Sequence, residues 1–161
     1  MKIGIISDTH DHVEHVDLAV KKFTELGVET VFHAGDYCSP FTVPPFKGFS
    51  LVGVFGNNDG DHYRLIQKFR DINGSIHNEY HEAKLGGRSI ALYHGTQPAI
   101  TKALVASGFY DIVISGHTHT PVNEIQGDTI SFNPGSAHGF GKQATLGVYD
   151  TDNNKAEHIN L

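Results

Sequence analysis

Five short apolar runs, Ile3–Ile6, Thr30–Phe32, Leu51–Phe55, Ser89–Tyr93 and Asp111–Ile114, each break off directly into polar residues carrying Asp, His or Asn. Runs of this length, rich in Val and Ile, read as buried strands. The first ends in Ser7-Asp8-Thr9-His10, the second in His33-Ala34-Gly35-Asp36 and the third in Gly56-Asn57-Asn58-Asp59. The fourth ends in His94-Gly95 and the fifth in Gly116-His117-Thr118-His119. In open α/β sheets, ligands bind beyond the carboxyl ends of the strands. Five strand ends that all deliver such residues form one constellation.

The segments between the runs fit that arrangement. Val13 to Leu26 places most of its apolar residues at i, i+3, i+4 spacing and is followed by Gly27, so a helix is predicted there. Tyr63 to Ile72, followed by Asn73-Gly74, predicts a second helix. Pro98 to Ser107 predicts a third, with proline in its first turn and Gly108 past its end. Ser39 to Gly48, with its three prolines, reads as irregular. The order is β-α-β-loop-β-α, a hairpin, then α-β. After Gly116, short strands follow at Val122–Ile125, Thr129–Phe132, Thr145–Tyr149 and Ala156–Ile159, separated by turn pairs such as Gly127-Asp128 and Asn153-Asn154. That is more strand than a simple doubly wound sheet holds. The expected fold is α/β, two packed mixed β-sheets (a β-sandwich) flanked by α-helices, as a single domain over residues 1–161.

Charge narrows the function. The formal net charge of −6 argues against a groove for long nucleic acid, which needs clustered Lys and Arg. A small phosphate-bearing substrate stays compatible, because bound cations invert the local field. With Cys38 as the only cysteine, no internal disulfide can form, which fits a reducing compartment. The opening apolar run is too short for a signal-peptide core, and no later run approaches a membrane span. The expectation is a cytoplasmic protein without a membrane partner; a homo-oligomer is left open.

The candidate ligands are Asp8, His10, Asp36, Asn57, His94, His117 and His119. In extended chain, residues i and i+2 project to the same side, so Asp8 with His10 and His117 with His119 are expected to present paired ligands. Glycines 35, 56, 95 and 116 beside them permit unusual backbone angles or close approach. Taken singly, Asp8 and Asp36 are turn or helix-start carboxylates and His94 a structural histidine; the ordered series makes them metal ligands. Carboxylate oxygen and imidazole nitrogen without thiolate suit Mn²⁺, Fe²⁺, Ni²⁺ or Zn²⁺ better than a Ca²⁺ cage. Seven ligands exceed one tetrahedral site and fit two divalent ions sharing a carboxylate. Of the other histidines, His33 reads as structural within its strand, and His12, His15, His62, His77, His81 and His158 as solvated. His138, after Asn133-Pro134-Gly135-Ser136, is a weaker candidate for the site, and Cys38 reads as a small, half-buried thiol.

The series Asp-x-His, Gly-Asp, Gly-Asn-x-Asp, His-Gly, Gly-His-x-His resembles the calcineurin-like metallophosphoesterase superfamily. The Ser-Asp-Thr-His start and Asn133-Pro134-Gly135-Ser136 are similar to its small YfcE-type phosphodiesterase branch. The likeness runs from residue 2 to about residue 136. It implies a dinuclear centre in which Asp8, His10 and His119 hold one ion, Asn57, His94 and His117 hold the other, and Asp36 bridges. The implied function is a metal-dependent phosphodiesterase or phosphoesterase, a hydrolase of small phosphoesters. Its two divalent cations, Mn²⁺ favoured, share a bridging hydroxide that attacks phosphorus in line with the leaving oxygen. His94, Asn58 and Asp59 are the residues expected at the reaction itself or supporting its ligands, Asp59 by hydrogen bonds. Many relatives carry histidine where this chain has Asn58, and an amide donates a hydrogen bond but transfers no proton at useful pH. The competing reading is a metal-binding protein-interaction scaffold of the same fold, like the small subunit of the retromer coat; the complete ligand set here argues for the enzyme.

Overall fold

The computed structural model describes residues 1–161. Each of the five apolar runs contains a strand: β1 (Lys2–Ile6), β2 (Thr30–His33), β3 (Ser50–Val54), β6 (Arg88–Tyr93) and β7 (Ile112–Ile114). The strands are apolar on both sides because both sides are covered. In β1, Ile3 and Ile5 face the opposite sheet, while Ile6 packs into a helix-facing core with Val16, Ala19 and Phe23. In β6 and β7, Ile90, Leu92, Ile112 and Ile114 face between the sheets, and Ala91 and Val113 face outward against Val105.

The first sheet has six strands in the order β11-β10-β1-β2-β3-β4, where β4 is Ser75–His77, β10 is Thr145–Asp150 and β11 is Lys155–Asn160. Strands β1 to β4 run parallel, and β10 and β11 pair antiparallel at the other end. The second sheet has the order β5-β6-β7-β9-β8, with β5 at Tyr80–Leu85, β8 at Val122–Gln126 and β9 at Thr129–Asn133. Here β6, β7 and β9 are parallel, with antiparallel strands on both edges. The expected two-sheet sandwich is the observed one. Helices α1 (Val13–Glu25) and α2 (His62–Asp71) pack on the outer face of the first sheet, and α3 (Pro98–Ala106) on that of the second. No helix is long and apolar enough to cross a membrane.

Local chemistry accounts for the element ends. Asp61 caps α2, its Oδ1 accepting the Arg64 N–H at 3.2 Å. The expected hairpin joins β5 to β6 through Gly86-Gly87, both at positive φ (58° and 76°), as a two-residue turn of that hand requires. Two expectations need correction. Ser39–Gly48 is not wholly irregular: Pro40–Thr42 and Pro44–Phe46 form two 3₁₀ turns, each opened by a proline whose fixed φ suits a first helical position. Val43 and Phe46 are fully buried beneath α1 and α2. Several histidines expected in solvent are half-buried instead. His158 lies over Phe132 at 4.7 Å with its Nε2 on the Asn133 carbonyl, His15 Nδ1 is 2.7 Å from the Ala137 carbonyl, and His77 stacks on His81 at 3.6 Å. Each ring fills apolar area with its face and reaches a carbonyl or a second ring, an option that sequence spacing does not reveal.

Candidate metal centre

All five parallel strands that carry the ligand series end at one edge of the sandwich, where their following loops meet. The loop after β1 runs along the loop after β2: Asp8 N–H donates to the Gly35 carbonyl at 3.0 Å, and His10 N–H to that of Asp36 at 3.1 Å. From the other sheet, the His117 N–H donates to Asp8 Oδ2 at 3.0 Å. The i, i+2 pairs are not in extended chain, contrary to the sequence expectation. Asp8, His10, His117 and His119 have φ of 54°, 39°, 67° and 55°, and Asp36 has 60°. Left-handed backbone costs a non-glycine residue on the order of 1–3 kcal/mol. Five such residues at one spot mean that the surrounding hydrogen bonds hold the ligands against local preference.

The flanking glycines divide by task. Gly35 and Gly95 supply positive φ (99° and 107°). Gly56 and Gly116 supply space: a Cβ on Gly56 would land on Asp36 Oδ1, and one on Gly116 on the Ser7 hydroxyl. Around them, Asn133 donates its amide to the Gly116 carbonyl at 2.7 Å, and the Ser136 hydroxyl donates to the Asp8 carbonyl at 3.0 Å. The Asn133-Pro134-Gly135-Ser136 turn therefore fixes both the His117 and the Asp8 loops.

Four residues meet closely. One ligand atom each from Asp8, His10, Asp36 and His119 lies within 4.8 Å of all the others. Asp8 Oδ1 is 3.2 Å from His119 Nε2 and 3.7 Å from His10 Nε2, and His10 Nε2 is 3.4 Å from Asp36 Oδ2. Asp8 Oδ1 and His10 Nε2 are buried and form no hydrogen bond. Buried polar atoms without partners are rare and need a cause. Burial opposes ionisation of Asp8, but His10, His119 and the Ser7 hydroxyl (2.6 Å from Oδ2) outweigh it and hold the carboxyl well below the usual carboxylate range. Burial likewise opposes protonation of His10, and Asp8 and Asp36 outweigh it, raising its pKa. Asp8 and Asp36 pair with histidines and with no Lys or Arg. The donor set fits a divalent cation: it supplies the missing positive charge and a partner for both orphaned atoms.

The other candidate ligands lie toward Oδ1 of Asp36. His94 is fully buried, and its Nδ1 lies 2.6 Å from the Ala34 carbonyl. A carbonyl only accepts, so Nδ1 carries a proton and Nε2 is the ring nitrogen turned to the site. That Nε2 is 3.0 Å from Asn57 Oδ1 and 3.5 Å from Asp36 Oδ1. Three electron-rich atoms at this separation again suit a cation. The His117 ring centroid is 5.2 Å from that of His94. Asp36 thus presents Oδ2 to His10 and Oδ1 to His94.

Asp59, 5% exposed, accepts backbone N–H groups from Asp36, Cys38 and Gly56 at 3.0, 2.8 and 2.7 Å. It ties the loop after β2 to the loop after β3; its pKa is raised by burial despite those bonds. Asn58 donates its backbone N–H to Asp36 Oδ1 and its amide to Oδ2. The structure adds contacts around His10 that spacing does not show, one of them from a residue not singled out, Phe140. Cys38 Sγ is 3.3 Å from His10 Nδ1, with the thiol pushed up to about 12 by burial and the carboxylates around it. Phe140 stacks on His119 at 4.6 Å and meets His10 edge-on at 4.9 Å. His138 does approach the site, its ring 6.3 Å from His10 and 4.0 Å from Phe140. The Gly139-Phe140-Gly141 stretch carries no period, so only its glycines hinted at a special loop.

Comparison with known proteins shows the family of the chain. The model of the calcineurin-like phosphoesterase superfamily domain matches residues 1–154. The phosphodiesterase MJ0936 of Methanocaldococcus jannaschii is 35% identical, covering 100% of this chain and 99% of that protein. The phosphodiesterase YfcE of Escherichia coli K12 is 25% identical over 94% of this chain and 89% of its own length. A solved structure described as a novel archaeal phosphodiesterase superimposes with a TM-score of 0.94 at 35% identity, all of both chains covered. Zinc-bound Vps29 of Entamoeba histolytica, at 19% identity and TM-score 0.66 over 99% of each chain, shares the fold alone.

Proposed function

Because the chain belongs to the calcineurin-like phosphoesterase superfamily, we propose that it is a phosphodiesterase with a two-metal centre, acting on small phosphoesters in the cytoplasm as a single domain over residues 1–161. The observation that carries this is the placement of Asp36, one oxygen toward His10 and the other toward His94. Asp8, His10 and His119 would hold one ion, Asn57, His94 and His117 the second, with Asp36 shared. Held there, such a pair would supply Lewis acidity to the phosphoryl oxygens and acidity to a water for in-line attack.

The chain's own residues do the rest. The Ala34 carbonyl fixes the His94 tautomer, and Asp59 and Asn58 fix the Asp36 loop and carboxylate. Mixed imidazole and carboxylate favours Mn²⁺, with Ni²⁺, Fe²⁺ or Zn²⁺ as alternatives, over Mg²⁺. The test is turnover of generic phosphodiesters and phosphomonoesters across a panel of divalent ions. Diester hydrolysis that needs such an ion supports the reading. Stoichiometric metal binding without turnover of any ester would leave a metal-binding scaffold instead.

A further inference from the structure

Beside the second ligand set, at the same edge of the sandwich, lies a cavity of about 660 Å³ that the metal centre does not use. Phe55 and His62 form one flat wall, their rings stacked 4.0 Å apart with 22° between planes. Tyr93 and Ile100 line it from β6 and α3, Asn78 and Glu79 from the link between β4 and β5, and Tyr80 from the start of β5. The cavity adjoins the centre through the chain itself. Its lining residue Gly56 precedes Asn57, Tyr93 precedes His94, and the His94 N–H donates to the Glu79 carbonyl at 3.1 Å.

The lining says what would fit. The volume lies in the range of small-molecule sites, and the aromatic wall suits a planar group. No Lys or Arg lines it, and its only carboxylate is that of exposed Glu79. A phosphate would be repelled there, whereas an uncharged group bearing N–H donors would find Glu79 and the Asn78 amide as acceptors. The Tyr93 hydroxyl accepts the Gln97 N–H at 2.9 Å, so its own proton is free to donate. We propose that this cavity seats the non-leaving substituent of the phosphodiester, a planar, uncharged, N–H-bearing group of nucleobase size, with the phosphate held at the metal pair. The assignment rests on the phosphodiesterase reading above.

The test compares two diesters with the same 4-nitrophenyl leaving group, one esterified to thymidine through its 5′-oxygen and one to methanol. Turnover chemistry is shared, so the substituent alone distinguishes them. The thymidine ester should show a KM roughly ten- to hundredfold lower, the worth of one base stacked on an aromatic ring. Ile100→Trp, on an exposed helical position, should fill the cavity and abolish that advantage while leaving the methyl ester unchanged. His62→Ala should weaken it in the same direction. Equal KM values, or Ile100→Trp acting alike on both esters, would overturn the assignment. Free thymidine, followed by amide NMR shifts, separates the two readings. Shifts confined to Gly56, Asn78, Glu79 and Tyr80, with neither ester hydrolysed, would keep the cavity and remove the phosphodiesterase. Hydrolysis without such shifts or preference would do the reverse.

Discussion

Asn58 holds both oxygens of Asp36, its backbone N–H on Oδ1 at 2.9 Å and its side-chain amide on Oδ2 at 2.7 Å. The residue at this position orients a carboxylate and has no proton to give. Activity should therefore fall steeply as leaving-group pKa rises, with aryl diesters cleaved readily and alkyl esters slowly. Asn58→Ala should lower both alike, by loosening Asp36. Asn58→His should rescue poor leaving groups preferentially, by roughly 10²–10⁴-fold if a full general-acid contribution returns. A Brønsted plot of the variant against the parent decides it, since an unchanged slope would mean that position 58 moves no proton.

Asp36 lies between the two proposed ligand sets, so its loss should cost more metal than that of any other candidate ligand. Elemental analysis after reconstitution is expected to give two ions per chain in the parent and fewer than one in Asp36→Ala. A single saturable site in the parent would contradict the dinuclear reading.

Removing the metal leaves the buried Asp8 and Asp36 carboxylates with histidines as their only ion-pair partners. Stability should then depend on free ion concentration. At 100 times Kd, one site adds about 2.7 kcal/mol. For a chain of this size, that is a rise in Tm of roughly 5–10 °C over the chelated protein. Calorimetry with and without Mn²⁺ measures it, and equal Tm values would show that no cation is needed there.

Gly56 has no room for a side chain, because a Cβ would meet Asp36, whereas Gly60 has nothing within 4 Å of its Cβ position. Gly56→Ala should displace Asp36 and lower metal affinity by roughly the 10–100-fold typical of disturbed supporting groups. Gly60→Ala, four residues on, should leave affinity unchanged. Isothermal titration of the pair checks both.

His33 is fully buried and accepts the Gly35 N–H on Nδ1 at 3.2 Å, so the neutral ring is the one that fits. Burial pushes its pKa down to about 3, from an ordinary 6.5. Below pH 6.5 the unfolded chain takes up a proton that the folded chain refuses until about pH 3. Stability from this group is whole above 6.5 and declines as pH falls, by up to about 1.4 kcal/mol per unit. Urea midpoints of metal-free protein between the two values should fall more steeply for the parent than for His33→Gln. Parallel curves would place the acid sensitivity elsewhere.

The ligand series was readable because each member follows a run of Val and Ile long enough to declare a strand. Ile3–Ile6 announces β1, and Asp8 follows two residues later. β4 went unread because three residues, Ser75-Ile76-His77, carry no period. Asp8 and His10 lie together, but not by the alternation of extended chain that their spacing suggests: left-handed backbone brings them there. Such angles are imposed by partners distant in sequence, here Gly35, Asp36, His117 and Ser136, and no local window contains them. Phe140 was hidden for the same reason.

The Ser136 hydroxyl reaches back across 128 residues to the Asp8 carbonyl, and the Ala137 and His138 amides bond the carbonyls of Ser7 and Asp8 beside it. The first ligand to leave the ribosome is therefore clamped by a segment that follows it by that whole distance. At 5–20 residues per second, translation takes roughly 6–25 s to cover it. For most of that interval Asp8 and His10, joined later by Asp36, exist without His117, His119 or the turn that locks them. The nascent chain offers ions an incomplete, loosely held set open to exchange. A metal held by this set would be chosen near the end of synthesis, among the ions free in the surrounding compartment rather than those met earlier by the growing chain.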